Sequence, residues 1–253
     1  MLLGISNNLQ DRNRIAIKKR IGLVTTVFLV CVFLPFVIYA LFHFNIVPSK
    51  PIFGSDVQEP VAKVITGSGV GTAFLISPTT LLTARHVVEN LNVGDQIDLI
   101  FEQTKNKYQT KGTIKFIAPT NVISSADGLV PMEYFLNDVA IIEVDEITDI
   151  EPLTLGESDV VNNLDEVILI GYPGGDYSIT IGNINNTKFQ GLDLFKLDAT
   201  SNPGNSGGPC ILKEDNIVIG ILVGGSGPYV QGENVALKIE NVKKILDKVK
   251  IVY

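Results

Sequence analysis

The chain has 253 residues, of which 45% are apolar, and its formal net charge is −7. Residues 1–20 hold five basic side chains and one acidic one, a balance of +4, so residues 21–253 together carry −11. A domain this acidic is not expected to bind nucleic acid or anionic lipid headgroups. About 190 residues follow the N-terminal segments, which is enough for one hydrophobic core.

A long uncharged segment follows the basic N-terminus. Residues 21–42 are 22 consecutive residues without a charge. As an α-helix they would extend roughly 33 Å, enough to cross a hydrocarbon core of about 30 Å. Pro35 lies inside the segment, and proline is tolerated in membrane helices because a kink can be repaired locally. No polar face interrupts the segment, so a transmembrane helix is favoured over a buried helix of a soluble protein.

A cleaved signal peptide is the competing interpretation of this segment. The apolar core of a signal peptide normally has about 7–15 residues. The nearest match to a small-residue cleavage site, at residues 38–40 (IYA), is weak. We therefore favour an uncleaved anchor. Because the positive charges precede the span, residues 1–20 are expected in the cytoplasm and the chain beyond residue 43 outside it. The predicted location is the cell membrane, with a single span and an extracytoplasmic domain.

The remainder of the chain is predicted to be a linker and one domain. Residues 43–60 contain three prolines and are predicted to be the linker. Residues 61–253 alternate short β-rich segments with turns, and one helix is predicted at 241–250. The predicted strands are 61–66, 71–77, 97–101, 113–118, 139–144, 166–171, 178–181, 194–197, 210–212 and 217–223. So many short strands with a single helix predict an all-β domain.

Two further features could carry chemistry, and each has a simpler interpretation. The glycine-rich segment 67–71 runs into a strand and not into a helix, so it is not expected to hold a phosphate. Cys31 lies in the span and Cys210 in the exported domain, so the two cannot pair. We interpret Cys210 as a small buried apolar residue and not as a nucleophile. No Cys/His group has the spacing of metal ligands.

The chain has two histidines, and one lies in a context suited to a general base. His43 directly follows the apolar span. His86 lies at the end of an apolar strand, in residues 81–88 (LLTARHVV), where the backbone would hold the imidazole rigidly. Taken alone, a histidine in this position is more often a core residue whose ring nitrogens are hydrogen-bonded within the protein. The serine segment at 204–209 reverses that preference.

The acid that orients such a histidine should be a carboxylate at the edge of a buried strand. Asp138 opens the β-branched segment 139–144 and fits this requirement. Most aspartates at strand starts are solvated turn formers. Asp127, Asp145 and Asp149 are rivals in loop-like or post-strand context. We expect Asp138 to be the acid.

Residues 204–209 read GNSGGP and are the most informative segment of the chain. A serine between glycines lies on backbone that can turn tightly and bring N–H groups close to a substrate carbonyl. An ordinary glycine-rich turn is the alternative. With a histidine and an acid available elsewhere, the segment predicts Ser206 as a nucleophile.

Three segments, in this chain order, resemble those of the chymotrypsin-fold (trypsin-like) serine peptidases. Residues 83–88 (TARHVV) look like the family's histidine segment, 137–141 (NDVAI) like its aspartate segment, and 204–209 like its serine segment. Residues 198–206 (DATSNPGNS) are most similar to the Deg/HtrA branch. The resemblance covers about residues 58–250.

The resemblance implies two six-stranded β-barrels and a C-terminal helix, with a catalytic triad of His86, Asp138 and Ser206 between the barrels. Ser206 would attack a peptide carbonyl, with His86 as the base and Asp138 holding the imidazole tautomer. The N–H groups of Gly204 and Ser206, with Asn205 lining the same turn, would form the oxyanion hole. Proteins or peptides are the expected substrates, and no metal or organic cofactor is needed.

By the same resemblance, the chain has a neutral specificity pocket. The pocket is expected to be lined by Thr200, Val223, Gly224 and Gly225, with its far side around residues 232–235. Because a neutral pocket penalises an unpaired charge, we expect a small or medium apolar residue before the cleaved bond. Glu233 would favour Arg or Lys if it pointed inward.

The sequence differs from related serine peptidases at three points, and these differences limit the domains, specificity and activation that we expect. The chain stops after the terminal helix, so the PDZ domains common in Deg/HtrA enzymes are not expected. Residues 234–239 resemble secreted bacterial glutamyl endopeptidases, but no histidine follows His86, so glutamyl specificity is not expected. Asn205 stands where pancreatic-type zymogens have an aspartate, so activation by N-terminal cleavage is not expected.

Two alternatives of other classes remain. One is a catalytically silent, membrane-tethered binding module with the same fold. The other is a non-peptidase hydrolase such as an esterase, which would favour a Gly-x-Ser-x-Gly turn and the chain order Ser, Asp, His. The order here is His, Asp, Ser, which favours the peptidase.

Overall fold

Two closed six-stranded β-barrels make up the fold. The computed structural model describes residues 55–120, 122, 130–225 and 233–253. Barrel 1 contains β1 Val61–Thr66, β2 Gly69–Ser77, β3 Thr80–Thr83, β4 Gln96–Phe101, β5 Tyr108–Ile117 and β6 Ala140–Glu143, in the order β1-β2-β3-β6-β5-β4. Barrel 2 contains β7 Glu166–Gly171, β8 Ser178–Asn186, β9 Leu194–Leu197, β10 Pro209–Leu212, β11 Ile217–Gly225 and β12 Asn234–Lys238, in the order β10-β11-β12-β9-β8-β7. All neighbouring strands in both barrels are antiparallel.

Strand β2 shows how the two barrels share a core. Six consecutive residues of this strand are buried, because side chains on its two faces enter different clusters. Ala73 and Leu75 point into barrel 1. Phe74 and Ile76 join the cluster that also contains residues of barrel 2, such as Ile211. The apolar run of β2 is therefore explained by burial on both faces.

The last element of the described residues is an α-helix, α1 (Ile239–Val249). It starts directly after β12, and Ile239, Val242 and Leu246 form its buried face. These residues lie in the cluster shared by the barrels. Lys250 ends the helix in the left-handed conformation, with φ at +61°. The spacing of three and four residues between the buried positions is what an amphipathic helix requires.

The all-β fold with two barrels and a C-terminal helix is confirmed. Strands β1, β7 and β9 have the predicted bounds. β12 was not among the predicted strands, and β3 was expected only as an apolar strand end before His86, without bounds. The first half of β5 was missed as well, because it is polar and partly exposed.

The N-terminal predictions lie mostly outside the described residues. The basic tail at 1–20 and the span at 21–42 fall there entirely. Of the predicted linker, residues 55–60 are described; Val57 is buried in the shared core, and Pro60 O accepts a hydrogen bond from Leu75 N–H at 2.9 Å. Within the described ranges, no helix is both long and apolar enough to cross a membrane.

Candidate active site

The histidine and aspartate predicted from the sequence are in direct contact. His86 Nδ1 lies 2.6 Å from Asp138 Oδ2, and the backbone N–H of His86 donates to Asp138 Oδ1 at 2.9 Å. Because a carboxylate only accepts, Nδ1 carries the proton and Nε2 is the ring nitrogen left as an acceptor. The Asp138 side chain is fully buried, whereas 26% of the His86 side chain is exposed. The pair has the geometry of a base oriented by a buried acid.

Strand pairing explains why these two residues meet. β3 and β6 are antiparallel neighbours, and Thr83 pairs with Ala140. The end of β3 and the start of β6 therefore lie at the same end of barrel 1. His86 lies in the 3-10 turn Arg85–Val87, just after β3. Asp138 directly follows the 3-10 turn Met132–Asn137 and lies just before β6.

Ser206 lies on a tight turn that requires two glycines. Gly204 has a φ of +107° and Gly207 a φ of +86°, both in the left-handed region. A Cβ on Gly204 would lie 2.2 Å from Tyr172 O, and one on Gly207 would lie 2.2 Å from Thr72 O. Any side chain at these positions would collide with backbone. Steric clash with this backbone therefore explains why glycine occupies the two positions on either side of Ser206.

The carbonyl groups of the serine turn have partners, and two of its N–H groups do not. Pro203 O accepts from Gly174 N–H at 2.9 Å, and Gly204 O accepts from Thr72 Oγ1 at 2.7 Å. Within the described part of the chain, no acceptor contacts the N–H of Gly204 or of Ser206. Free donors two residues apart on one turn are what an oxyanion hole requires.

Asn205, the third residue predicted for the oxyanion hole, has contacts within the turn and with β7. Its N–H donates to Asn202 O at 3.0 Å, so this group is not a free donor. Its side chain is buried, and a Cβ on Gly171 would lie 2.6 Å from Asn205 Oδ1. Asn205 therefore packs under the serine turn against β7.

Thr72, which sequence reasoning missed, connects the serine turn to barrel 1. Its N–H donates to Ser206 O at 2.9 Å. Its Oγ1 donates to Gly204 O and accepts from Tyr172 N–H at 3.1 Å. Thr83 Oγ1 in turn donates to Thr72 O at 2.7 Å. The turn that carries the serine is thereby fixed to β2 and β3, the strands that lead to the histidine.

The rival candidates do not join this site. Asp145 and Asp149 are exposed in the segment after β6. Asp127, His43 and Cys31 lie outside the described residues. Cys210 is fully buried, and burial raises the pKa of its thiol to about 12. A thiol that stays protonated in a core is a poor nucleophile, in agreement with its interpretation as an apolar residue.

The predicted pocket residues lie in β11 and in the segment that follows β9. Thr200 is exposed, and its carbonyl accepts from Thr180 Oγ1 at 2.8 Å. Val223 is buried in β11. Gly224 faces Phe135, because a Cβ there would lie 2.7 Å from the Phe135 ring.

The far side of the predicted pocket is described only in part. Gly225, at the end of β11, is exposed, and Gly232 lies outside the described residues. Glu233 forms an ion pair with Lys196 of β9. A carboxylate already paired with a lysine attracts a substrate cation less strongly.

Comparisons with known proteins show which family shares this sequence. The sequence profile of a family described as "Trypsin-like peptidase domain" matches residues 71–221, which include His86, Asp138 and Ser206. A probable periplasmic serine endoprotease, DegP-like, from Chlamydia pneumoniae is 33% identical over 189 residues, covering 70% of this chain and 34% of that protein. A putative mitochondrial protease, Do-like 3, from Arabidopsis thaliana is 31% identical over 179 residues, covering 66% of this chain and 27% of that protein. The chain thus spans about a third of the length of the curated relatives it matches.

Solved structures share the fold. The HtrA-type protease AlgW with a tripeptide superimposes with a TM-score of 0.61 at 22% identity, covering 80% of this chain and 64% of that one. A serine endoprotease from Yersinia pestis superimposes with a TM-score of 0.58 at 20% identity, covering 79% of this chain and 68% of that one. At these identities the likeness concerns the arrangement of the barrels.

Proposed function

Since the chain belongs to the trypsin-like peptidase family, we propose that it is a serine endopeptidase that cleaves peptide bonds through Ser206, His86 and Asp138. One observation carries the proposal: a buried carboxylate accepts two hydrogen bonds from a single, partly exposed histidine. This geometry fixes the ring tautomer and leaves Nε2 as a base. The DegP-like names of its relatives support the same activity.

The first half of the reaction forms an acyl-enzyme. His86 Nε2 takes the proton from the Ser206 hydroxyl as the serine oxygen bonds to the substrate carbonyl carbon. Asp138 stabilises the imidazolium that results. The N–H groups of Gly204 and Ser206 bind the oxyanion of the tetrahedral intermediate. The intermediate then collapses, and the imidazolium gives its proton to the amine that leaves.

The second half of the reaction restores the enzyme. Water replaces the amine, and His86 takes a proton from the water as its oxygen attacks the acyl carbon. A second tetrahedral intermediate collapses, the new carboxyl product leaves, and Ser206 regains its proton from His86. Every proton transfer in this scheme uses the same ring nitrogen, and the scheme needs no metal or organic cofactor.

The proposal places the catalytic domain outside the cytoplasm. The uncharged segment 21–42 would anchor the chain, with the basic residues 1–20 in the cytoplasm and a linker at 43–60 leading to the peptidase domain at 61–253. A relative named as periplasmic supports an extracytoplasmic domain. Protein or peptide substrates would therefore be met on the outer side of the membrane.

Labelling with a fluorophosphonate tests the proposed activity. The reagent phosphonylates a serine only when a base activates it, so wild-type protein should be labelled at Ser206, as located by mass spectrometry of the digested adduct. His86→Ala should abolish the adduct while the protein stays folded. A wild-type protein that remains unlabelled would instead indicate the silent binding module.

A further inference from the structure

Arg85, the residue before His86, is a buried cation beside the proposed catalytic acid. Its side chain is only 3% exposed, and its Nε lies 3.7 Å from Asp138 Oδ1. Buried arginines are rare and are normally compensated by an opposite charge. The carboxylate that accepts both hydrogen bonds from His86 thus also has a guanidinium close to its Oδ1.

The guanidinium is held by charge and by an aromatic face more than by hydrogen bonds. Its central carbon lies 4.1 Å from the centre of the Tyr134 ring, a close cation–π contact. Nη2 donates to Tyr134 O at 3.4 Å. Within the described residues, Nε and Nη1 have no hydrogen-bond acceptor. The planar fork that normally distinguishes arginine from lysine is therefore largely unused here.

Tyr134 is itself fixed at the outer end of this stack. Its hydroxyl donates to Glu89 Oε2 at 2.6 Å. Burial and this hydrogen bond raise the pKa of Tyr134 to about 12, so the ring over the guanidinium remains neutral. Tyr134 also belongs to the 3-10 turn Met132–Asn137, which leads directly to Asp138. The cation therefore lies between the turn that carries the histidine and the turn that carries the acid.

We propose that Arg85 is a positioning residue whose positive charge compensates the buried Asp138 carboxylate and keeps it facing His86. The inference rests on the proposed peptidase function and deepens it. Without this charge, the buried carboxylate would have no cation against it and would turn towards solvent or other donors. His86 would then lose the partner that fixes its tautomer and its distance from Ser206.

Kinetics of three variants test this role. Arg85→Met keeps the size and removes the charge, and it should lower kcat by about 10²-fold, the usual cost of a small displacement in a catalytic group. KM should change less than threefold, because substrate binding does not involve Arg85. Arg85→Lys keeps the charge without the fork, so it should restore kcat to within tenfold of wild type. Lys111→Met removes an exposed charge paired with Asp98 at 2.8 Å and should leave both constants unchanged.

The outcomes separate this inference from the proposed function. A wild-type protein that fluorophosphonate does not label contradicts both. A labelled wild type with an Arg85→Met variant of unchanged kcat contradicts the role of Arg85 alone. Should Arg85→Met fail to fold, Arg85→Lys decides: a folded lysine variant within tenfold of wild type supports the charge, and a loss of 10²-fold or more overturns it.

Discussion

The serine turn shows how backbone conformation at two residues shapes the site. Gly204 and Gly207 lie in the left-handed region, and each approaches backbone of a neighbouring strand or loop. For other residues this conformation costs about 1–2 kcal/mol. The contact with a neighbouring carbonyl adds a steric cost that the surroundings can relieve only by moving the turn.

Replacing Gly207 by alanine should therefore impair the reaction. A new Cβ would lie 2.2 Å from Thr72 O, which must move together with the turn that carries Ser206. We expect kcat to fall by at least about 10²-fold, since small displacements of catalytic groups have effects of that size. Gly67→Ala is the matched control, because nothing lies within 4 Å of a Cβ there. Equal kcat values in the two variants would show that the turn is not constrained as described.

At the scale of elements, local composition predicted most strands and missed those defined by their partners. β1 was predicted with its observed bounds because it is apolar and is followed by a glycine. β3 has only four residues, and its pairing with β2 and β6 is what makes it a strand. β12 runs into α1 without a turn residue between them. Short strands of this kind depend on neighbours that are distant in sequence.

The candidate site follows the same rule: residues with a local sequence signal could be predicted, and residues defined by distant contacts could not. The segments around His86, Asp138 and Ser206 stand out because each places a residue type suited to catalysis next to a strand or a glycine-rich turn, in the chain order of the family. Thr72 does not, because its hydroxyl bonds Gly204 O, 132 residues away in the chain. Arg85 lies in the segment TARHVV that contains the histidine, but only the structure reveals that it is buried against Asp138.

The contact of β2 with the serine turn gives a prediction for Thr72. Thr72→Val keeps the shape but removes the hydroxyl, leaving Gly204 O and Tyr172 N–H without their buried partner. Unsatisfied buried groups cost about 1–3 kcal/mol each, so the free energy of unfolding should fall by a few kcal/mol. Chemical denaturation measures this change. Thr72→Ser retains the hydroxyl and should lose less; a loss in Thr72→Val no larger than that in Thr72→Ser would contradict the role assigned to these two hydrogen bonds.

The elements that border the proposed pocket give a prediction for substrate preference. The pocket predicted at Val223, Gly224 and Gly225 would be neutral and would favour an apolar residue before the cleaved bond. Glu233 is paired with Lys196, which reduces its attraction for a substrate cation. Matched peptides with Val, Arg or Glu at that position should be cleaved fastest when it is Val. Faster cleavage after Arg that disappears in Glu233→Gln would show that this carboxylate faces the substrate.

At the scale of the whole molecule, the candidate site depends on both barrels. Barrel 1 supplies the turns that carry His86 and Asp138, and barrel 2 supplies the turn that carries Ser206. The shared hydrophobic cluster and the hydrogen bonds of Thr72 hold these parts together. Because the barrels share this cluster and these hydrogen bonds, we expect them to unfold in one transition, which thermal denaturation measures.

The membrane topology is the second prediction at this scale. Because the basic residues precede the uncharged segment, the chain beyond residue 43 should lie outside the cytoplasm. Protease added to intact cells should remove a tag at Tyr253 and leave a tag at Met1 intact. N-terminal sequencing of protein extracted from the membrane distinguishes an uncleaved anchor from a signal peptide. If the tag at Tyr253 stayed intact in cells whose cell envelope lets the protease reach the membrane, the orientation would be opposite to the one predicted.

In the proposed mechanism, Ser206 and His86 act as one catalytic unit oriented by Asp138. The most direct test is kcat for peptide hydrolysis by wild type, Ser206→Ala, His86→Ala and the double variant. Each single change should lower kcat by roughly 10⁶-fold, and the double variant should be no slower than either, because members of such a unit are strongly non-additive. Near-wild-type hydrolysis by Ser206→Ala, or losses that multiply in the double variant, would contradict the account.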